Sequence, residues 1–168
     1  MADKTCSSCG KKVTIHPKDR KYLHASTGFL CSKQCVLNKI KSFKCSEQVI
    51  PDLKYTTSYT IDNIQFTSGY SYLLKKSFRS EYEATVAEFL NSSSFDFQYE
   101  PYCFQFGVFT YTPDFYIKPP YDCFIEVKGV FGLGKKKKLT KFIEAYPDIN
   151  FIFVPWTLRE EFLNADCE

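Results

Sequence analysis

The chain has 168 residues, enough for one ordinary domain with a small appendage, and 44% hydrophobic with 24% charged residues is the composition of a folded protein, not a disordered one. No run of about 18 apolar residues occurs, so no membrane partner is expected, and the start, Met1 to Cys6, shows no apolar core of a secretory signal. The net charge of +3 averages unequal parts: residues 1–45 hold ten basic side chains against Asp3 and Asp19, a net of +8, which leaves −5 for the remainder. A basic end on an acidic body points to a polyanion-binding module joined to a second unit.

The cysteines divide in the same way. Five of eight fall within residues 1–45, and without a secretory signal they argue for a reducing, cytoplasmic compartment (the host cell's, if phage-encoded) and against a disulfide framework. Cys6-Ser-Ser-Cys9 is followed by Gly10, which supplies the tight turn a metal knuckle needs. Cys31 and Cys35 form a second close pair, so Cys6, Cys9, Cys31 and Cys35 are expected to surround one tetrahedral Zn²⁺. His16, His24 and Cys45 are the alternative ligands. Lys11 to Leu30 is long enough for a β-hairpin, and Val36, Leu37 and Ile40 mark a short helix. The arrangement resembles a treble-clef zinc finger, with Phe29-Leu30-Cys31-Ser32 close to that motif's ending. A segment this small has too little core to fold alone, which favours a structural metal.

Residues 46–76 read as a linker with one or two short strands, and 77–168 as the second domain. Ser80 is the expected cap of a helix, with Glu83 at its third position and Tyr82, Val86, Phe89 and Leu90 on its apolar face. Strands follow over Phe95–Phe109, interrupted at Glu100-Pro101, then near Tyr111–Ile117 and over Cys123–Gly129. Lys136–Tyr146 has helical spacing and Asn150–Val154 is an apolar strand. Strand, helix and strand make a βαβ unit with a parallel pair, so the expected class is α/β with a mixed sheet.

The acids carry the chemistry. Asp114 follows Pro113 at the edge of a strand. Glu126 and Lys128 share one face of the next strand, while Cys123, Ile125 and Val127 form an apolar opposite face. A charged pair in so apolar a strand is costly unless it is used. Asp114, Glu126 and the carbonyl of Val127 make a hard-oxygen site suited to Mg²⁺. Lys128 beside it can orient the attacking water or stabilise charge on a phosphate. Glu83, on the edge of its helix's buried face, is the fourth candidate.

Arg79-Ser80-x-x-Glu83, Phe97-Gln-Tyr-Glu100, Tyr111-Thr-Pro-Asp114-Phe115, Phe124-Ile-Glu126-Val-Lys128-Gly129 and Lys136-Lys-Lys-Leu139 resemble, in order, the PD-(D/E)xK nuclease superfamily. They look most like the bacteriophage endonuclease I type that resolves Holliday junctions, and the likeness covers about residues 77–154. It implies a restriction-endonuclease-like mixed sheet, DNA as partner, a homodimer, and Mg²⁺ (with Mn²⁺ able to substitute) as catalytic cofactor. It assigns Glu83, Asp114, Glu126 and Lys128 the catalytic roles, and Glu100 a supporting one. Arg79 and Lys135, Lys136, Lys137 and Lys138 are candidate phosphate contacts, as are Lys11, Lys12, Lys18, Arg20 and Lys21 of the basic module.

The zinc module is foreign to the junction-resolving enzymes, and residues 46–75 do not clearly reproduce the part through which those enzymes exchange strands and dimerise. A finger joined by a linker to a nuclease core is also the layout of homing-type endonucleases. The expectation is therefore a Mg²⁺-dependent endonuclease of branched DNA. A site-specific homing-type or restriction-type enzyme is one alternative, and a non-catalytic zinc-containing DNA-binding protein is the other.

Overall fold

The computed structural model describes residues 2–16, 28–43, 54–55, 69–128 and 133–164. Its elements are β1 (Ala2–Thr5), β2 (Lys12–Ile15), α1 (Lys33–Ser42), β3 (Lys54–Tyr55), β4 (Tyr70–Ser71), β5 (Lys76–Ser77), α2 (Glu81–Ser92), β6 (Phe97–Tyr99), β7 (Tyr102–Phe106), β8 (Phe109–Tyr111), β9 (Phe115–Ile117), β10 (Cys123–Lys128), α3 (Leu133–Ala145), β11 (Phe151–Pro155), a 3-10 turn (Trp156–Leu158) and α4 (Arg159–Leu163).

The centre is a four-stranded mixed sheet in the order β11-β10-β9-β6. Strands β10 and β11 run parallel, with Phe124 opposite Phe151 and Val127 opposite Val154. The remaining pairs are antiparallel. Helix α3 joins β10 to β11, which is the βαβ unit the spacing predicts. A second sheet, β3-β7-β8, and two hairpins, β1-β2 and β4-β5, complete the described strands.

Two-residue alternation divides the core. Phe115, Ile117, Cys123, Ile125, Val127, Ile152 and Val154 face one buried cluster, and Tyr116, Phe124 and Phe153 face the other. The first face is covered by α2 through Tyr82, Val86, Ala87 and Leu90 and by α4 through Phe162. The second is covered by α3 through Leu139 and Phe142 and by β7 and β8 through Phe104 and Tyr111. Aromatic rings do much of this filling: Phe104 meets Phe124 at 5.1 Å and Phe142 at 5.0 Å, edge to face, a favoured geometry.

Helix α2 begins as its sequence demands. The Ser80 hydroxyl accepts the Glu83 N–H at 3.2 Å, and Glu81 and Glu83 place negative charge at the helix N-terminus.

The cysteine-bearing segment is packed into the same interior. Cys6, Leu30, Cys35, Val36 and Ile40 belong to the cluster that holds Phe78, Tyr82 and Leu90 of the C-terminal part. The Lys33 N–H, in the first turn of α1, donates to Glu161 of α4 at 3.0 Å. Most of the stretch expected to hold a hairpin, 11–30, lies outside the described residues. Its first part, β2, pairs antiparallel with β1, with Ala2 opposite Ile15 and Thr5 opposite Lys12, and Cys6–Gly10 forms the connection that reverses the chain. Most of the stretch read as a linker, 46–76, lies outside the described residues; its described parts hold the short strands Lys54–Tyr55 and Tyr70–Ser71.

Candidate active site and metal cluster

Strand register brings the acids together. The last pair between β9 and β10 is Phe115 opposite Ile125, so the next step sets Asp114 against Glu126. The last pair between β6 and β9 is Tyr99 opposite Phe115, which sets Glu100 against Asp114. Two hydrogen bonds lock this row: the Val127 N–H donates to Asp114 Oδ2 at 2.7 Å, and the Glu100 N–H donates to the Asp114 carbonyl at 2.8 Å. Glu100, Asp114 and Glu126 therefore stand side by side at one end of the sheet, about 4.8 Å from strand to strand.

All three line one cavity of about 240 Å³ with Arg79, Thr110, Tyr111, Thr112, Lys135 and Lys138. Asp114 is 7% and Glu126 1% exposed. Burying two carboxylates is expensive without compensating charge or donors, and three of the cavity's nine residues are cations. Arg79 pairs with Glu100 at 3.0 Å. Glu100 has φ +46, a left-handed conformation that costs a side-chain-bearing residue on the order of 1 kcal/mol and is held by its N–H bond.

Tyr111 stacks on Phe142 at 4.6 Å and keeps its hydroxyl in the interior. Burial pushes its ionisation far above the ordinary phenol value, and the negative charges of Glu126 and Asp114 add to that. The hydroxyl stays a neutral dipole beside the carboxylates. Helix α3 places Lys135 and Lys138 on one face of its first turns, with no acid there to offset them. Cations at a helix N-terminus oppose the macrodipole, so this arrangement suits an anion from outside.

The remaining predicted residues are placed as follows. Glu83 is not among the cavity's lining residues. Its carboxylate accepts the Ser80 hydroxyl at 2.9 Å, the Arg79 N–H at 3.1 Å and the Tyr99 hydroxyl at 2.6 Å. It thus sits behind the Arg79–Glu100 pair, bonded to a neighbour of each member. Val127 is in β10 with its N–H used by Asp114. Lys128 continues β10 opposite Pro155; its side chain is outside the described residues. Lys136 is half-buried and Lys137 exposed on α3, and Lys11 and Lys12 are exposed at the first hairpin. Lys18, Arg20, Lys21, His24 and Cys45 lie outside the described residues, and His16 is exposed. Glu100, to which the resemblance gives a supporting role, is brought beside Asp114 by the register of β6 on β9, which no spacing along the chain signals.

The four predicted cysteines converge. The sulfurs of Cys6, Cys9, Cys31 and Cys35 all lie within 4.8 Å of one another. Cys9 to Cys31 and Cys31 to Cys35 are each 3.6 Å, close to the edge of about 3.8 Å of a tetrahedron with Zn–S bonds of about 2.3 Å, and the thiols are free. Gly10, at φ +74, donates its N–H to the Cys6 carbonyl at 2.9 Å and closes the knuckle. Ser32 caps α1 by accepting the Cys35 N–H, which fixes the second pair at the helix start.

Burial raises the Cys6 thiol, but backbone donors from Cys9, Ser8 and Cys31 outweigh it and pull the thiol down to about 6. Cys31 is pushed up to about 12 by burial, then by the neighbouring sulfurs. One thiolate forms readily and the next is opposed by it, a frustration that a divalent cation removes. The sulfur set fits a soft, tetrahedral metal. Among the described residues no group of carboxylates is as tightly drawn together, and no helix is long and apolar enough to cross a membrane.

Buried acids that line one cavity together with two lysines and an arginine suit cleavage of a polyanionic backbone at a divalent metal, which is the chemistry of a nuclease. Residues 67–162, more than half of the chain, match the family model for phage endonuclease I. The chain belongs to that family, and it is an endodeoxyribonuclease whose chemistry needs a divalent metal. No curated protein and no solved structure matches it.

Proposed function

We propose that this protein is a Mg²⁺-dependent endonuclease that hydrolyses phosphodiesters in branched DNA, with a restriction-endonuclease-like core of the PD-(D/E)xK kind. The single observation that carries the reading is the Val127 N–H to Asp114 bond, which holds two buried carboxylates together in a cavity also lined by three cations.

Asp114, Glu126 and the Val127 carbonyl are the ligands we assign to Mg²⁺. The ion, when bound, supplies a water of lowered pKa and neutralises charge on the phosphate. Lys128 follows Glu126 by two residues on the same strand face and is assigned to orienting that water. Arg79, Lys135 and Lys138 hold the phosphate whose ester is cut, and Tyr111 excludes water from the back of the cavity. Glu83 is the third acid of the reading; in the present arrangement it keeps Arg79 and Tyr99 in place, and service as a ligand would require it to release them.

Zn²⁺ at Cys6, Cys9, Cys31 and Cys35 is structural in this proposal. Its module shares the nuclease core, which favours a reinforced junction-resolving enzyme over the homing-type layout of a separate recognition unit. The functional unit is a homodimer, because two strands must be cut.

The test compares a four-way junction, random-sequence linear duplex and long genomic DNA, each with and without Mg²⁺. Resolution of the junction whatever its arm sequences supports the proposal. A single cut site in linear DNA supports the homing-type reading, and absence of Mg²⁺-stimulated cleavage on every DNA removes both.

A further inference from the structure

Five large apolar side chains are exposed among the described residues, and three of them, Tyr70, Tyr72 and Leu73, sit in one hairpin. That hairpin is β4-β5, in which Tyr70 faces Ser77 and Ser71 faces Lys76. Tyr72 is 86% and Leu73 66% exposed, at the tip.

The tip is displayed on a rigid base. Ser71, 1% exposed, donates its hydroxyl to Glu88 of α2 and accepts the Leu74 N–H at 3.0 Å. The Phe78 N–H donates to the Gly69 carbonyl at 2.8 Å, and a Cβ at Gly69 would stand 2.4 Å from the Phe78 carbonyl oxygen, so only glycine admits this closure. Phe78 is fully buried against Tyr99, 4.8 Å between centroids. Tyr70 meets Tyr72 edge to face at 5.0 Å, which orients the exposed ring. A turn held this firmly has no structural need for two apolar side chains in water.

Its charge and position indicate an occupant. Residues 69–79 contain Lys75, Lys76 and Arg79 and no acid. Among the described residues neither lysine is paired with a carboxylate, and Lys76 lies over the Tyr99 ring at 5.7 Å, one residue before Glu100 of the cavity. Strand β5 runs directly into Arg79, so Tyr72 and Leu73 stand within roughly 20–25 Å of the cavity rim along the chain. A second copy docking tip to tip would oppose like charges. An aromatic and an aliphatic side chain between phosphate-seeking lysines match nucleic acid whose base faces are uncovered.

We propose that the β4-β5 hairpin is a wedge: Tyr72 and Leu73 pack on the exposed base faces of a distorted DNA beside the cut phosphate, and Lys75 and Lys76 hold the flanking phosphates. This rests on the branched-DNA reading above for the identity of the exposed bases.

The test uses the full chain in Ca²⁺ without Mg²⁺, so that binding is read apart from cleavage. The probes are a four-way junction, a duplex with an unpaired bulge, and a continuous duplex of equal length. The double variant Tyr72→Ala/Leu73→Ser is expected to bind the first two roughly tenfold more weakly and the third within about twofold. Tyr72→Trp should keep wild-type binding, and the melting temperature should not change. Equal losses on all three DNAs, no loss on any, or a halved molecular mass in solution would overturn the wedge, the last in favour of a dimer contact. The junction-to-duplex ratio of the wild-type protein tests the branched-DNA reading by itself, whereas the variant-to-wild-type ratio on each probe tests the hairpin.

Discussion

Asp114 Oδ2 accepts the Val127 N–H at 2.7 Å, and this bond joins the loop before β9 to the strand that carries Glu126 and Lys128. It does two things at once: it satisfies a buried carboxylate and it fixes the distance between the two acids assigned to the metal. The same residue receives the Glu100 N–H on its carbonyl, so Asp114 is the middle of a row and not an isolated acid in a turn.

Asp114→Asn and Glu126→Gln keep size and hydrogen-bonding capacity while removing charge. Each is expected to lower the cleavage rate by on the order of 10³-fold, as for loss of a metal contact worth several kcal/mol in the transition state. DNA affinity measured in Ca²⁺ should change by less than threefold. Wild-type cleavage by both variants would end the assignment.

The cysteine cluster predicts one zinc per chain by metal analysis. Because Cys6 and Cys35 are buried in the core shared with Phe78, Tyr82 and Leu90, Cys35→Ser should lower the melting temperature of the whole protein in one transition. Two separate transitions, with the nuclease part unaffected, would contradict the shared core.

Ile40 tests the same coupling without touching a sulfur. It is fully buried on α1, and Ile40→Ala should cost about 2–4 kcal/mol of unfolding free energy in denaturant titration. A cost below about 0.5 kcal/mol would mean that α1 is not part of the nuclease core.

Alkaline pH is a further probe. Burial, followed by the charges of Glu161, Glu83 and Glu126 respectively, raises Tyr82, Tyr99 and Tyr111 far above the usual 10.0, and burial followed by the hydrogen bond to Asp122 does the same for Tyr116. A phenol raised in the folded state remains protonated there while the unfolded chain ionises. Its stabilisation is complete below pH 10 and is lost as pH rises above it. Each of the four contributes a fall of about 1.4 kcal/mol per pH unit in that range. Thermal melts from pH 8 to 11 should be level at first and then drop steeply above pH 10; a level curve to pH 11 would refute the burial of these hydroxyls.

Lys135→Ala with Lys138→Ala should weaken DNA binding and reduce the slope of log K against log salt by about 1–2, as two phosphate contacts are lost. An unchanged slope would place both lysines away from the DNA.

Local signals explain what the sequence disclosed. The Ser80 cap, the apolar stripe from Tyr82 to Leu90 and the βαβ spacing are each written within a dozen or so residues, and α2 and the β10-α3-β11 unit follow them. The convergence of the four cysteines was legible because cysteines that hold a metal come in close pairs. Features set by distant pairing were not. The row from Glu100 to Glu126 depends on the register of three strands, and no spacing along the chain encodes it. β1, Ala-Asp-Lys-Thr, has no apolar alternation to announce a strand, and it exists because the knuckle folds β2 back onto it. The shared core of α1 and α2 arises from Val36 and Ile40, which read equally well as the interior of a small separate finger.

The most direct test is cleavage of a four-way junction by the wild-type protein and by Asp114→Asn over a Mg²⁺ titration. The account predicts paired incisions close to the branch point, on junctions of unrelated arm sequence, that require Mg²⁺ and vanish in the variant while junction binding persists. Cleavage that does not depend on Mg²⁺, or that survives loss of the Asp114 charge, would contradict it.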